Sequence, residues 1–130
     1  MKEVIEFLKK CGIFFLATVD ENSPRVRPFG ALNEYNNKLY FITSNTKDVY
    51  KQLVKNNQVE ICASTPDSWI RLTGTAKFDD SRDAKKSMLD NNPGLRRMYS
   101  EDDDKMVVFY LENATGKIFS FFKPMEEYKF

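Results

Sequence analysis

Six or seven short runs of β-branched and aromatic residues, broken at close intervals by turn-forming clusters, restrict this chain to a fold made largely of hairpins. The first run, residues 13–20 (IFFLATVD), stops at Asp20-Glu21-Asn22-Ser23-Pro24, and the next, residues 24–32 (PRVRPFGAL), follows at once. Asn36-Asn37 tolerates left-handed turn geometry and precedes the run at 38–44 (KLYFITS). Further runs lie at 58–64, 69–78, 105–112 and 116–122, with a turn through Pro66-Asp67 between the first two of them. Connections this short join antiparallel neighbours, because a parallel pair needs a crossover of roughly a dozen residues or more. The expectation is a mainly β domain with flanking helices (α+β) over residues 1–130, its six or seven antiparallel strands forming a barrel.

Helical spacing interrupts the strands in three places. Val4, Ile5 and Leu8 share a face in residues 2–10. From Thr46 to Asn56, Val49, Tyr50, Leu53 and Val54 fall on one side, with Asn45 placed to cap. In residues 79–92, Ala84, Met88 and Leu89 supply an apolar stripe, and residues 93–99 (PGLRRMY) add a Pro-initiated turn. The acidic run at 101–104 reads as a solvated loop.

Composition narrows the chemistry. The 42% hydrophobic and 30% charged residues are those of a soluble globular protein. Twenty Lys and Arg nearly cancel nineteen Asp and Glu, so no global field recruits nucleic acid or an acidic membrane, and any anion must be held locally. Cys11 and Cys62 sit in stretches that read as buried and form no disulfide framework, which fits a reducing cytoplasm. The longest apolar run, Gly12–Val19, is too short to span a bilayer. With no histidine at all, the chain has no Ser-His-Asp or Cys-His nucleophile system and no histidine-ligated haem or zinc. Hard chemistry would have to come from a cofactor, and no metal site is expected.

One local cluster stands out. Arg25, Arg27 and Phe29 alternate along one face of a strand, with Val26 and Pro28 on the other. A helix begins soon after at Asn45-Thr46-Lys47, where free N–H groups and the positive dipole end collect. A phosphate there would meet those N–H groups, the hydroxyls of Thr43, Ser44 or Thr46, the Lys47 ammonium and the Arg27 fork. The same cations also read as ordinary solvated surface groups.

The residues at 27–30 (RPFG), 39–44 (LYFITS), Thr46-Lys47 with Leu53, and Asn56 with Val59 together resemble the split barrel of the pyridoxamine 5′-phosphate-oxidase-like superfamily, which binds flavin mononucleotide (FMN). The likeness continues through residues 69–76 (WIRLTGTA) and covers nearly the whole chain. It implies FMN as cofactor. Arg27, sixteen residues before Thr43, matches the position that contacts the flavin phosphate. Pro28 and Phe29 match positions whose main chain lines the isoalloxazine, Ile42 and Thr43 match positions beside ring and phosphate, and Asn45, Thr46 and Lys47 match the phosphate-gripping turn. The family's members are homodimers with flavin at the subunit interface, and Trp69 and Arg71 are the candidates for the second subunit's contribution. The residues themselves equally suit a capped barrel end for Trp69 and an ion pair for Arg71.

Departures from the family pattern bear on activity. Residues 123–130 (KPMEEYKF) lack the C-terminal arginine and histidine that pyridoxamine-phosphate oxidases use for substrate. The histidine proposed at the flavin of nitroimidazole reductases has no counterpart either. The small members of the nitroimidazole-reductase-like branch remain the best match. The expected function is an FMN-dependent oxidoreductase that takes a small-molecule electron donor, a reduced nicotinamide, and a small acceptor. The alternatives are a flavin-binding or electron-transfer module and a relative that uses a deazaflavin. No catalytic side chain is assigned.

Overall fold

The computed structural model describes residues 1–130. Eight strands form one antiparallel sheet, and the hydrogen-bonded path does not close. In chain order the elements are α1 (Lys2–Cys11), β1 (Phe14–Asp20), β2 (Ser23–Phe29), β3 (Leu32–Tyr35), β4 (Lys38–Ser44), α2 (Asp48–Lys55), β5 (Gln58–Ser64), β6 (Ser68–Asp79), α3 (Arg82–Asn91), a 3-10 turn (Pro93–Arg97), β7 (Met106–Ser120) and β8 (Glu126–Lys129). Their order across the sheet is β2-β1-β5-β6-β7-β4-β3, with β8 added to the far half of β7. The fold is the split barrel: mainly antiparallel, opened rather than sealed, with helices on its flanks.

Local chemistry explains the pairings. β1 and β2 join through Glu21 and Asn22, with Asp20 opposite Ser23 and Glu21 at φ 56°. β3 and β4 join through Asn36 and Asn37 at φ 52° and 61°, the left-handed pair that a two-residue turn requires. β2 is an edge strand, so Pro24 and Pro28 take no ladder hydrogen bond from a second neighbour.

The strand inventory differs from the expected six or seven. Residues 24–32 split at Gly30 and Ala31 into β2 and β3, and residues 126–129 form β8. Conversely, the two C-terminal runs are one fifteen-residue strand. What reads as a turn at 112–115 is a bulge: Asn113 takes φ 52°, and one extra residue of β7 opposes Gly74 between the pairs Thr73↔Thr115 and Thr75↔Glu112. β6 and β7 are long enough to serve both halves of the split barrel. β4 pairs with β7 over 106–110 and β8 over 115–118, end to end along one edge.

Two apolar layers result. Phe14, Leu16, Leu39, Phe41, Ile61, Ile70, Leu72 and Phe109 fill the barrel, closed by Val4, Ile5 and Leu8 of α1 and by Val49 and Leu53 of α2. Gly116 is obligatory there, because a Cβ would stand 2.8 Å from Val4 Cγ2. On the outer face of β4 and β7, Tyr40, Ile42 and Val108 meet Ala84, Met88 and Leu89 of α3. β4 is thus buried on both faces, which accounts for its unbroken apolar run. Cys62 is exposed on β5 and Cys11 is half-buried, against the expectation that both are interior. Cys62 faces outward because its neighbours Ile61 and Ala63 hold the core face. Val54 of α2 is likewise exposed while Val49 and Leu53 are buried. No helix is long and apolar enough to cross a membrane.

Candidate functional site

Where edge strand β2 passes the end of β4 and the start of α2, a cleft of about 590 Å³ opens. Arg27, Pro28 and Phe29 of β2 line one side with Gly30 and Ala31, and Ile42 and Thr43 of β4 form its floor. Lys47 and Val49 bring in the helix start.

Arg27 is the electrostatic centre. It is half-buried, and its guanidinium donates to Leu16 O at 3.3 Å, Thr18 Oγ1 at 2.8 Å and Gln52 Oε1 at 2.6 Å. Thr18 donates to the same Gln52 oxygen at 2.5 Å, so β1, β2 and α2 are laced together around the cation. None of these partners carries charge. Burial lowers Arg27 from its ordinary pKa, partly opposed by the field of Asp48, and no carboxylate lies within ion-pair distance of it. A half-buried, unneutralised guanidinium is a strong local anion attractor.

Thr43 supplies the second signal. It is 2% exposed, and its Oγ1 is a buried side-chain polar atom with no hydrogen-bond partner. Such an atom costs stability unless something completes it. Lys47, in extended conformation at the N-cap of α2, offers no side-chain cap to the first helical N–H groups. The cleft therefore gathers a guanidinium with no carboxylate partner, an ammonium, an orphaned hydroxyl and a helix start without a side-chain cap.

The other singled-out residues are placed differently. Ser44 and Thr46 exchange a hydroxyl bond at 2.8 Å, and Ser44 Oγ also accepts from Thr46 N at 3.3 Å. Asn45 does not cap α2; its Nδ2 donates to Asp104 O at 2.7 Å, and the helix begins at Asp48. These three residues shape the turn from within and do not line the cleft. Trp69 and Arg71 lie outside it as well. Trp69 stacks on Phe119 at 5.3 Å with 13° between planes, and Arg71 pairs with Glu60 at 3.0 Å.

Sequence reasoning missed the facing wall. Asn91, Asn92, Pro93, Gly94, Leu95, Met98 and Tyr99 close the cleft opposite β2. Asn92 Nδ2 donates to Leu32 O and Met88 O, each at 3.1 Å, and Asn91 Nδ2 donates to Asn33 Oδ1 at 2.7 Å. Those amides moor the end of α3 to β3. Beyond them, Arg96 bridges Asp90 at 2.6 Å and Glu101 at 2.8 Å, while Arg82 holds Asp102 at 2.7 Å. In the acidic run, Glu101 and Asp102 are thus ion-pair partners, while Asp103 accepts from the backbone N–H groups of Ser100, Lys105 and Met106. The asparagine pair before a Pro-Gly turn was the available signal.

Fold and cleft define a class of split-barrel proteins with a cation-lined cleft between an edge strand and a helix start. The chain belongs to the pyridoxamine 5′-phosphate oxidase family, whose model matches residues 1–117, and within that superfamily to the NimA-like branch. It is 45% identical to a NimC/NimA family protein from Clostridium acetobutylicum, with a TM-score of 0.97 over 100% of this chain and 92% of that one. A heme binding protein from Mycobacterium smegmatis shares the fold at 14% identity, with a TM-score of 0.73 over 93% of this chain and 54% of that one. A pyridoxamine 5′-phosphate oxidase-related, FMN binding protein from Nostoc punctiforme shares it at 13% identity, with a TM-score of 0.66 over 99% and 95%. No curated protein matches.

Proposed function

We propose that this chain is an FMN-binding flavoprotein and an FMN-dependent oxidoreductase. The observation that carries the reading is the buried, unpartnered Thr43 hydroxyl in the same cleft as the carboxylate-free Arg27. A phosphate between them satisfies both, with Lys47 and the first N–H groups of α2 completing its shell. The main chain of Pro28 and Phe29, with Ile42, then lines the place of the ring. Haem suits the cleft less well, because the chain has no histidine for an axial ligand.

Bound FMN supplies reversible one- and two-electron chemistry. The protein's task is to grip and orient. Arg27 anchors the phosphate, the Thr18–Gln52 lacing fixes the guanidinium, and the wall at 91–99 limits access to the exposed ring face. No carboxylate lines the cleft, which leaves the Lys47 ammonium, the Tyr99 hydroxyl and solvent as the proton sources for a reduced acceptor. That absence also favours a second reading, an electron-transfer module without a dedicated substrate. Turnover of a reduced nicotinamide with a quinone or nitroaromatic separates the two. In this reading the protein is a cytoplasmic homodimer, supported by exposed apolar side chains such as Phe15 at 47% and Val26 at 67%, with Trp69 and Arg71 contributed across the interface. Sedimentation velocity tests that state.

The central test is binding. Purified protein should be yellow or should quench added FMN. Arg27→Ala should weaken FMN roughly ten- to a hundredfold, as loss of a charge-assisted hydrogen bond implies, and riboflavin less than about threefold. Equal losses for both ligands would overturn the phosphate assignment.

A further inference from the structure

Six arginines occur in the chain, and five of them are exposed. Four of those five meet a carboxylate: Arg25 with Asp20 at 3.2 Å, Arg71 with Glu60 at 3.0 Å, Arg82 with Asp102 at 2.7 Å and Arg96 with Asp90 at 2.6 Å. Arg27 is the sixth. It is the half-buried one, where water and salt would screen an ion pair least, and it meets only uncharged oxygens.

The group that stands where a carboxylate would is the amide of Gln52. It is half-buried on α2, beside the face that Val49 and Leu53 bury against the barrel. Its Oε1 accepts from Arg27 at 2.6 Å and from Thr18 at 2.5 Å, while Thr18 Oγ1 in turn accepts from Arg27 at 2.8 Å. The three groups close a ring. A guanidinium can only donate, so the amide must present its oxygen to it. Glutamate has the same length and would offer the same oxygen. Its bond to Arg27 would be charge-assisted and roughly twice as strong as one to a neutral acceptor, so the stability of the empty fold favours the acid at this position. The chain carries the amide instead. What the amide preserves is the cation, held in one place with its charge uncompensated and sharing its cleft with the unpartnered Thr43 hydroxyl and with Lys47.

Resting on the reading of Arg27 as the phosphate anchor, we infer that Gln52 is a positioning residue that sets the charge of the ligand the cleft accepts: it aims the Arg27 guanidinium without neutralising it, so that a phosphate monoester is taken in preference to its uncharged parent. A glutamate at 52 would satisfy Arg27 from within and leave nothing for the ligand to neutralise. Fold stability and phosphate affinity therefore pull in opposite directions at this one side chain.

The experiment measures affinity and stability separately, by fluorescence titration with FMN and riboflavin and by urea denaturation without ligand. Gln52→Glu should unfold at a urea midpoint equal to or above that of wild type. It should nevertheless weaken FMN at least about tenfold and riboflavin less than about twofold, as loss of a charge-assisted hydrogen bond implies. Gln52→Leu keeps the bulk and removes the oxygen. It should lower the midpoint, yet weaken FMN less than Gln52→Glu does, because the guanidinium keeps its charge. A plain structural strut gives the reverse order, with affinity following stability and the leucine variant the poorer binder, and that result would overturn the proposal. So would a urea midpoint for Gln52→Glu below wild type, FMN binding by that variant within about twofold of wild type, or equal losses for FMN and riboflavin. In an Arg27→Ala background the FMN loss from Gln52→Glu should shrink several-fold. An undiminished loss there would mean that the new carboxylate repels phosphate directly, and Gln52 would then not act through Arg27. Failure of wild type to bind FMN would instead remove the reading on which the proposal rests.

Discussion

The two walls of the cleft are made in different ways. The wall of β2 and β4 is set by ladders: Arg27 pairs with Leu16, Phe29 with Phe14, and Thr43 with Val107. Beneath it, Phe29, Phe41 and Phe109 meet edge to face or tilted, with centroids 5.7–6.5 Å apart. The opposite wall, from Asn91 to Tyr99, has no ladder. Two asparagine amides, surface ion pairs and the packing of Leu95 and Tyr99 against the α3 cluster hold it. Rigidity thus falls on the side proposed to hold phosphate and ring. Adaptability falls on the side an incoming electron acceptor would meet. A reductase benefits from that division, because a fixed cofactor can then serve acceptors of different outline.

The largest expected effect sharpens this contrast in stability. Phe109→Ala removes a side chain with 0% exposure from beneath the ladder wall and should cost about 3–5 kcal/mol in urea denaturation. Met98→Ala, at a side chain 68% exposed, should stay within about 0.5 kcal/mol. Comparable costs at the two positions would abolish the distinction.

Asn92→Ala comes next. It removes the amide that donates to both Leu32 O and Met88 O, leaving two part-buried carbonyls short of a donor, and should cost about 1–2 kcal/mol. Hydrogen exchange should rise first in residues 93–99 and leave β4 protected. Uniform acceleration would show that the two walls open as one unit.

This asymmetry also governs what could be read from the residues. Strand faces are local: once 24–29 is a strand, Arg27 and Phe29 share a side whatever the rest of the chain does. The two-residue turn at Asn36-Asn37 is local for the same reason. The facing wall depends on Asn92 reaching Leu32, sixty positions away, and no periodicity announces such a bond. The merged strand β7 was hidden because Asn113 marks a turn in most settings. Only pairing with β6 on one side and with β4 and β8 on the other converts it to a bulge. Cys62 was misjudged on its apolar character alone, although alternation along 58–64 sets it on the face of Gln58, Glu60 and Ser64.

Thr43→Val probes the ladder wall by a smaller change. Replacing an orphaned buried hydroxyl with a methyl group should raise the stability of the ligand-free protein by about 1 kcal/mol. The same change should weaken FMN several-fold. Opposite signs in the two measurements are the signature of a hydroxyl kept for a ligand; a loss of stability without ligand would mean that it already has a partner.

The smallest effect belongs to the facing wall and to acid. Asp90 titrates below the ordinary aspartate value of 3.8 because Lys86 and then Arg96 donate to it, and Asp102 does so because Arg82 donates to it. Each carboxylate binds a proton less readily in the folded protein than in the unfolded chain. The stability it lends is therefore complete above pH 3.8 and is lost as pH falls through the lower folded values. Both groups lie at the surface, so salt screens the pairs and the gain is slight. In carboxyl-carbon NMR titrations at low salt, both midpoints should lie below 3.8, and the amide signals of Leu95 and Tyr99 should shift with them while those of Phe41 and Phe109 stay fixed. Added salt should bring the midpoints back toward 3.8. If the signals of the barrel moved in the same pH window, the ion pairs would be holding more than one wall, and the two sides of the cleft would have to be treated as a single structure.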